Sequence, residues 1–345
     1  MTMKYIKIIF TVVVFSTSLL LGQVFKTDIS KKGTTAASFL SISQGARATA
    51  MGSAAVGISG GDASALYYNP AAIAKIDGMS IAFDHTSWFA DINYNYLAAS
   101  FNFGSMGALG FSFTSSDVAD MQVTTINEQQ GTGEYFTVKD VAVSLAYAIQ
   151  LTDNFSIGFN PKFIQQTIWK TSATGFGLDL GVQYVTPFDD IVLAMSITNF
   201  GTKMQLEGTS TTILYDYDEA NTGNNDKIPA NLATAEWALP LNFRVGLAYE
   251  PIQTENVNLL VAIDAMHPSD NYESVNVGGE LRLYNFIALR GGYKSLFLDE
   301  SEETFTFGIG LQQRFVGNLG INFDYGFQSF GRLENIQKFT VGLSF

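Results

Sequence analysis

The chain closes on Gln337-Lys338-Phe339-Thr340-Val341-Gly342-Leu343-Ser344-Phe345, in which Phe339, Val341, Leu343 and Phe345 occupy every second position. Extended backbone sends successive side chains to opposite faces, so these four apolar groups share one face and Lys338, Thr340, Gly342 and Ser344 share the other. The pattern continues upstream. Leu319, Ile321, Phe323, Tyr325 and Phe327 alternate with Gly320, Asn322, Asp324, Gly326 and Gln328, and Phe305, Phe307, Ile309 and Leu311 alternate with Thr306, Gly308, Gly310 and Gln312. Strands with one greasy and one polar face, repeated along a chain, predict an all-β transmembrane antiparallel barrel. A soluble β-sandwich alternates in the same way, so the address and the composition have to separate the two.

At the other end, Lys4 and Lys7 precede an uncharged, mainly apolar run over residues 8–21, followed by Gly22 and Gln23. The run is shorter than the roughly 20 apolar residues with which a helix crosses about 30 Å of hydrocarbon. It reads as a secretory signal peptide removed near Gly22, with Leu20 at a position where a small residue is usual. The expected organisation is therefore a signal peptide over 1–22, an N-terminal segment over 23–78 and a barrel over 79–345. The sequence holds no cysteine, which rules out both a disulfide framework and a lipidated N-terminus.

Apolar residues make up 47% of the chain but are spread by twos, and charged residues are only 15%, against roughly 25% in a soluble domain. That balance suits a wall facing lipid outside and water inside, in an outer membrane. The net charge of −13 becomes about −15 once Lys4 and Lys7 leave with the signal peptide. No basic cluster interrupts it, which argues against a nucleic-acid partner. Acidic residues gather instead at Asp216, Asp218 and Glu219 and at Asp299, Glu300, Glu302 and Glu303. Their spacing lacks the glycine turn of a calcium loop and reads as solvated exterior.

From Met79 to the end about fourteen strand-like segments follow, at 79–88, 92–103, 107–115, 139–151, 155–169, 176–186, 191–206, 240–250, 257–266, 272–284, 286–297, 304–315, 319–330 and 337–345. Tight connections at 104–106, 152–154, 187–190, 284–286 and 316–318 all fall on one side, as periplasmic turns do, and the two longest connections, 116–138 and 207–239, fall on the other. Connections at 267–271, 298–303 and 331–336 fall on that outer side too, whereas the outer connection at Ala90 and Asp91 is too short for this scheme. Pro161 has no N–H for a ladder, so a bulge or kink is expected at Asn160 and Pro161, either as a local twist or as a lateral opening.

Between the signal peptide and the first strand lies a stretch of another kind, GARATAMGSAAVGISGGDASALYYNPAAIA over residues 45–74. It is rich in alanine and glycine and lacks strand alternation. Asp62 is placed to cap a short helix running through Tyr68, and Asn69-Pro70 to stop it. A barrel of this strand number encloses a lumen wide enough to leak, and the segment is a natural plug for it. The same run resembles the N-terminal signature of the PorV/PorQ family, itself similar to FadL-type outer-membrane transporters. The resemblance implies a fourteen-stranded barrel with a hatch in its lumen, on which Gly45, Arg47, Met51, Gly52, Asp62, Asn69, Pro70 and Ala71 match the motif. It also implies a part in type IX protein secretion, with C-terminal domains of exported proteins and secretion components as partners.

No catalytic or metal-binding constellation emerges, and no cofactor is expected. His85 and His267 are the only histidines and have no second ligand at metal spacing. Ser64 and Ser115 lack a neighbouring base, and the glycines at 57–61 and 175–177 lack the lysine and the strand-to-helix setting of a phosphate loop. Two functions remain. Tyr135, Phe136, Tyr215, Tyr217 and Trp237 offer aromatic area at the outer mouth, either as a rim that binds exported proteins or as part of the lipid girdle. Alternatively, a hydrophobic small molecule passes through the lumen, with Met51, Val56, Leu66 and Ile73 supplying an apolar pocket. The inward-facing Thr306, Gln312, Asn322, Asp324, Gln328, Lys338 and Thr340 weigh against a long greasy tunnel. A surface scaffold without transport is the third possibility.

Overall fold

In the computed structural model, residues 31–345 are described apart from 219, 221–226, 300 and 316–318; the signal peptide, Glu219, Glu300 and the turn at 316–318 lie outside them. Fourteen antiparallel strands form a closed ring: β1 Met79–Ser87, β2 Asn93–Asn102, β3 Ala108–Asp117, β4 Val138–Thr152, β5 Phe155–Ile168, β6 Thr171–Val185, β7 Val192–Gly201, β8 Asn242–Gln253, β9 Val257–Pro268, β10 Ser274–Leu283, β11 Ile287–Leu296, β12 Phe305–Arg314, β13 Gly320–Gln328 and β14 Ile336–Ser344. Each strand pairs with its sequence neighbours. The ring shuts where β1 meets β14, from Ser80 opposite Ser344 to Ser87 opposite Gln337. Closure removes the sheet edges, which lipid cannot solvate, where each unpaired backbone group would cost several kcal/mol.

The alternation behaves as read. On β14, Phe339 is 49% exposed while its neighbours Lys338 and Thr340 are 1% exposed. Phe307, Ile309 and Leu311 on β12 and Phe323 on β13 likewise face outward, and Thr306, Asp324 and Gln328 face the buried interior. The outer surface is thus an apolar belt and the inner one a polar lining.

Connections at one end are short: 103–107, 153–154, 186–191, 254–256, 284–286 and 315–319. In the turn between β10 and β11, Tyr284 and Asn285 both have positive φ, 53° and 51°, the mirror-image turn geometry whose twist matches that of paired strands. Ala90 and Asp91, at 57° and 55°, make a tight turn between β1 and β2 at the long-loop end. The two longest connections carry small hairpins, Met121–Gln122 with Tyr135–Phe136 and Thr212–Tyr215 with Ile228–Asn231. Glu207–Gly208 adds to the start of β6.

Three expectations need correcting. β6 begins at Thr171, because Ser172, Ala173 and Thr174 pair with Thr167, Gln166 and Gln165 around a turn at Trp169 and Lys170; small polar residues hid the strand. β7 ends at Gly201, after which the chain leaves the wall and Met204 forms an isolated bridge with Trp237. The bulge expected at Asn160 and Pro161 is not there. The β4–β5 ladder keeps one register across them, from Ser144 opposite Lys162 to Tyr147 opposite Phe159, with two pairs left out. Pro161 therefore removes a bond without displacing the strand; the register shift in this ladder lies instead at Gln150 and Thr152, near the short-turn end, and others lie in the β6–β7, β8–β9 and β10–β11 ladders.

Candidate functional site

Residues 37–76 occupy the interior of the ring, folded into short turns and one five-residue helix. These are the turn Ser38–Ser41, the helix Ala46–Ala50 and the turns Ala63–Tyr67 and Pro70–Lys75. None is long enough to be stable alone, and the segment is held by the wall. The Gly45 N–H donates to Asp84 Oδ2 at 3.1 Å and the Ala46 N–H to Thr340 Oγ1 at 2.7 Å. Thr306 Oγ1 accepts from the Gly52 N–H and donates to the Ala50 carbonyl, both at 2.9 Å. Asp264 Oδ2 takes the Ala55 and Val56 N–H groups at 2.8 and 3.0 Å, and Gln183 Nε2 donates to the Val56 and Ile58 carbonyls. Inward polar side chains from strands all round the ring therefore satisfy backbone that water would otherwise have to serve.

Close approach depends on glycine. A methyl group at Gly278, Gly292 or Gly326 would strike the backbone at Met51, Gly52 or Ala46, and one at Gly308 would press on the Ala50 side chain. At Gly158 it would strike Pro70, and at Gly181 the Asn69 side chain. These inward glycines of β5, β6 and β10 to β13 make a collar in which the segment sits, and Gly52 itself needs its φ of 65° to pass the Tyr293 and Val277 carbonyls. The sequence analysis missed both the collar and the polar partners. Their signal was available: glycine at an inward position of a strand, where it weakens the strand unless something approaches closely.

The motif residues all lie in this segment. Asp62 caps the turn Ala63–Tyr67 by accepting from the Ser64 N–H at 2.8 Å; that turn is a 3-10 helix. Asn69 Oδ1 accepts from the Ala71 N–H at 3.0 Å, and its Nδ2 donates to the Val56 and Val182 carbonyls at 3.1 and 3.0 Å. Pro70 opens the next turn, where a missing N–H costs nothing. Met51 is fully buried against Ala54, Tyr68, Ala248, Leu260 and Ala262. Arg47 grips Glu280 of β10 with two bonds of 2.9 Å, Nε to Oε2 and Nη2 to Oε1. Glu280 also accepts from Arg282 and Arg290, and Arg290 reaches Asp324 at 2.5 Å. Burial opposes charge on Arg47, yet Glu280 overrides it and holds the guanidinium above its ordinary pKa.

The lumen differs between its ends. At the long-loop end Ala37, Phe39 and Leu40 of the interior segment pack on Tyr94, Ala142, Ile164, Ala173, Met204 and Leu239. Tyr67, whose hydroxyl is pushed up to about 12 by burial, stays neutral and donates to the Leu40 carbonyl, and the buried Arg244 lies 5.9 and 5.7 Å from the Tyr67 and Tyr68 rings. At the short-turn end a cavity of about 600 Å³ opens, lined largely by polar and charged groups including Arg282, Arg290, Arg314, Asp324, Asp189 and Glu250. In the wall, Asn160 and Lys162 both reach Asp179 at 2.9 Å, and the Asn199 N–H donates to its other oxygen.

The five rim aromatics sit on separate pieces of the long loops. Tyr135, Tyr215, Tyr217 and Trp237 are exposed, Tyr217 by 80%, whereas Phe136 is half-buried with its ring 6.3 Å from that of Trp169. His85 and His267 pair with Asn95 and Glu273 on the strands and loops.

No family model matches the chain, and no curated protein does. Solved structures do. The Pseudomonas putida toluene transporter TodX aligns with a TM-score of 0.54 at 14% identity, over 87% of this chain and 96% of TodX. A Pseudomonas aeruginosa FadL homologue gives 0.50 at 12% identity, over 88% and 98%. The fold is that of the FadL-like outer-membrane barrels. CymD, a monoaromatic hydrocarbon channel, gives 0.50 at 13% identity over 87% of this chain and 96% of its own. At such identities the likeness is one of fold.

Proposed function

We propose that this protein carries a small hydrophobic molecule across the outer membrane, as a non-enzymatic FadL-like channel. The observation that carries the reading is the apolar cluster inside the long-loop mouth, where Phe39 and Leu40 lie among Tyr94, Ile164, Met204 and Leu239. It is one of several apolar clusters inside the ring and the one that borders the long loops, and an apolar lining at the mouth is where a greasy solute gains free energy on leaving water. The structural likeness to TodX and CymD supports the same solute class. In this reading the long loops face outside the cell and the 600 Å³ cavity faces the periplasm, by the usual asymmetry of loop lengths in such barrels.

A second reading, docking of exported proteins as in type IX secretion, is favoured by the exposed Leu214, Tyr215, Tyr217 and Trp237 on the 202–241 connection and by the PorV/PorQ-like motif. One experiment separates the two. Uptake of radiolabelled toluene by cells lacking the gene should fall several-fold and return with the wild-type copy. Unchanged uptake, together with crosslinking of an exported C-terminal domain to a photoreactive group at Tyr217, would replace the first reading with the second.

A further inference from the structure

The cavity of about 600 Å³ at the short-turn end has its charges sorted by sign. Among the described residues, its lining along β6 to β9 and the turn at 186–191 carries three carboxylates, Asp189, Asp190 and Glu250, and no cation. Along β10 to β12 it carries three arginines, Arg282, Arg290 and Arg314, and no carboxylate. Like charges gathered on one wall repel one another, and a lining that served only the fold would interleave the signs.

Bonds within the wall consume only part of this charge. Glu280, buried in the wall, takes Arg47 and Arg290, and Arg290 also bonds Asp324. Arg282 reaches Glu280 through Nη2 alone, and its side chain is 30% exposed. Arg314, Asp189 and Asp190 are exposed and have no ion-pair partner among the described residues. Glu250 has only a 3.3 Å bond from Gln253 Nε2. Lys75 also lines the cavity, and its Nζ is buried with no hydrogen-bond partner among the described residues, a cost that a nearby carboxylate would offset. The two sets of charges therefore face the same space with capacity to spare, the acidic one on β8 and the β6–β7 turn, the basic one on β10 and β12.

Their spacing selects the ligand. Neighbouring strands lie about 4.8 Å apart, so Glu250 on β8 and Arg282 on β10 start from backbone separated by about 10 Å along the wall. An extended peptide covers about 3.3–3.6 Å per residue, so a single amino acid is too short to reach both and two or three residues suffice. Val192, Ala248 and Leu260 line the cavity as well, an apolar surface for side chains between the charged ends. We propose that this cavity binds short zwitterionic peptides of about two or three residues, with the terminal carboxylate on Arg282 and Arg314 and the terminal ammonium on Asp189, Asp190 and Glu250. Guanidinium groups suit the carboxylate because their paired N–H groups match its two oxygens. The site lies at the other end of the lumen from the apolar mouth, so it stands or falls apart from the hydrocarbon reading.

Trialanine, whose only charges are its termini, tests this by isothermal titration calorimetry on the full chain in detergent. It should bind saturably, and N-acetyl-trialanine and trialanine amide, each lacking one terminal charge, should bind about tenfold or more weakly, the scale of losing a hydrogen bond to a charged group. Asp189→Asn with Asp190→Asn should bring trialanine down towards the affinity of its N-acetyl form, and Arg314→Gln towards that of its amide. Lys139→Ala, exposed at the long-loop end of β4, should bind as the native protein does. Heat-modifiable gel migration checks that each variant is a folded barrel, and the exposure of Asp189, Asp190 and Arg314 keeps these changes out of the packed interior. Absence of saturable binding would overturn the proposal. So would N-acetyl-trialanine binding as tightly as trialanine, which would leave an anion site only, or native affinity in both the aspartate and the arginine variants.

Discussion

Asn69 shows how one side chain can fix a non-repetitive segment. Its amide, on a side chain that is itself fully buried, closes the turn at Ala71, holds the Val56 carbonyl and reaches across to Val182 on β6. Asn69→Ala leaves those groups without this partner in a place water does not reach, at about 1 kcal/mol or more per bond. Destabilisation of roughly 2 to 3 kcal/mol is expected, read as a lower urea midpoint for unfolding from lipid vesicles. An unchanged midpoint would mean that the glycine collar alone seats the segment. The sequence pointed to Asn69 through its position before Pro70, but its third partner could not be read there, because Val182 offers only a backbone carbonyl and every residue has one.

At the level of elements, β5 carries the informative exception. Its pairing with β6 is unbroken past Pro161, while the β4 side lacks the pairs of residues 145 and 146 with 161 and 160. The proline nitrogen therefore faces β4, where a ladder donor is missing. Pro161→Val should supply that donor and a better strand former, stabilising the barrel by about 1 kcal/mol and slowing amide exchange around residues 145 and 161. Faster exchange would show that the ring itself is needed there. Period-two alternation made all fourteen strands legible, since it is a local property of extended chain. It failed where the pattern is diluted by small polar residues, as at the start of β6, and it could not tell a missing bond from a displaced strand.

For the whole molecule the decisive quantity is the outward belt, in which Phe83, Leu145, Phe176, Phe305, Phe323 and Phe339 are all exposed. A continuous apolar surface of this kind far exceeds what a soluble monomer tolerates. The purified protein should need detergent or lipid to remain monodisperse in size-exclusion chromatography with light scattering, and a monodisperse detergent-free sample would contradict the membrane-spanning reading. The strand number and, on the last three strands, the facing of the side chains were determined by the sequence alone, because lipid on one side and water on the other impose a repeat that neighbouring residues display. Only the tertiary structure decided what fills the ring and how. Arg47 and Glu280 stand 233 positions apart, and Gly45 finds Asp84 while Ala46 finds Thr340. Such meetings are set by closure of the sheet, a long-range constraint that brings remote inward positions to one depth and leaves no periodic trace along the chain.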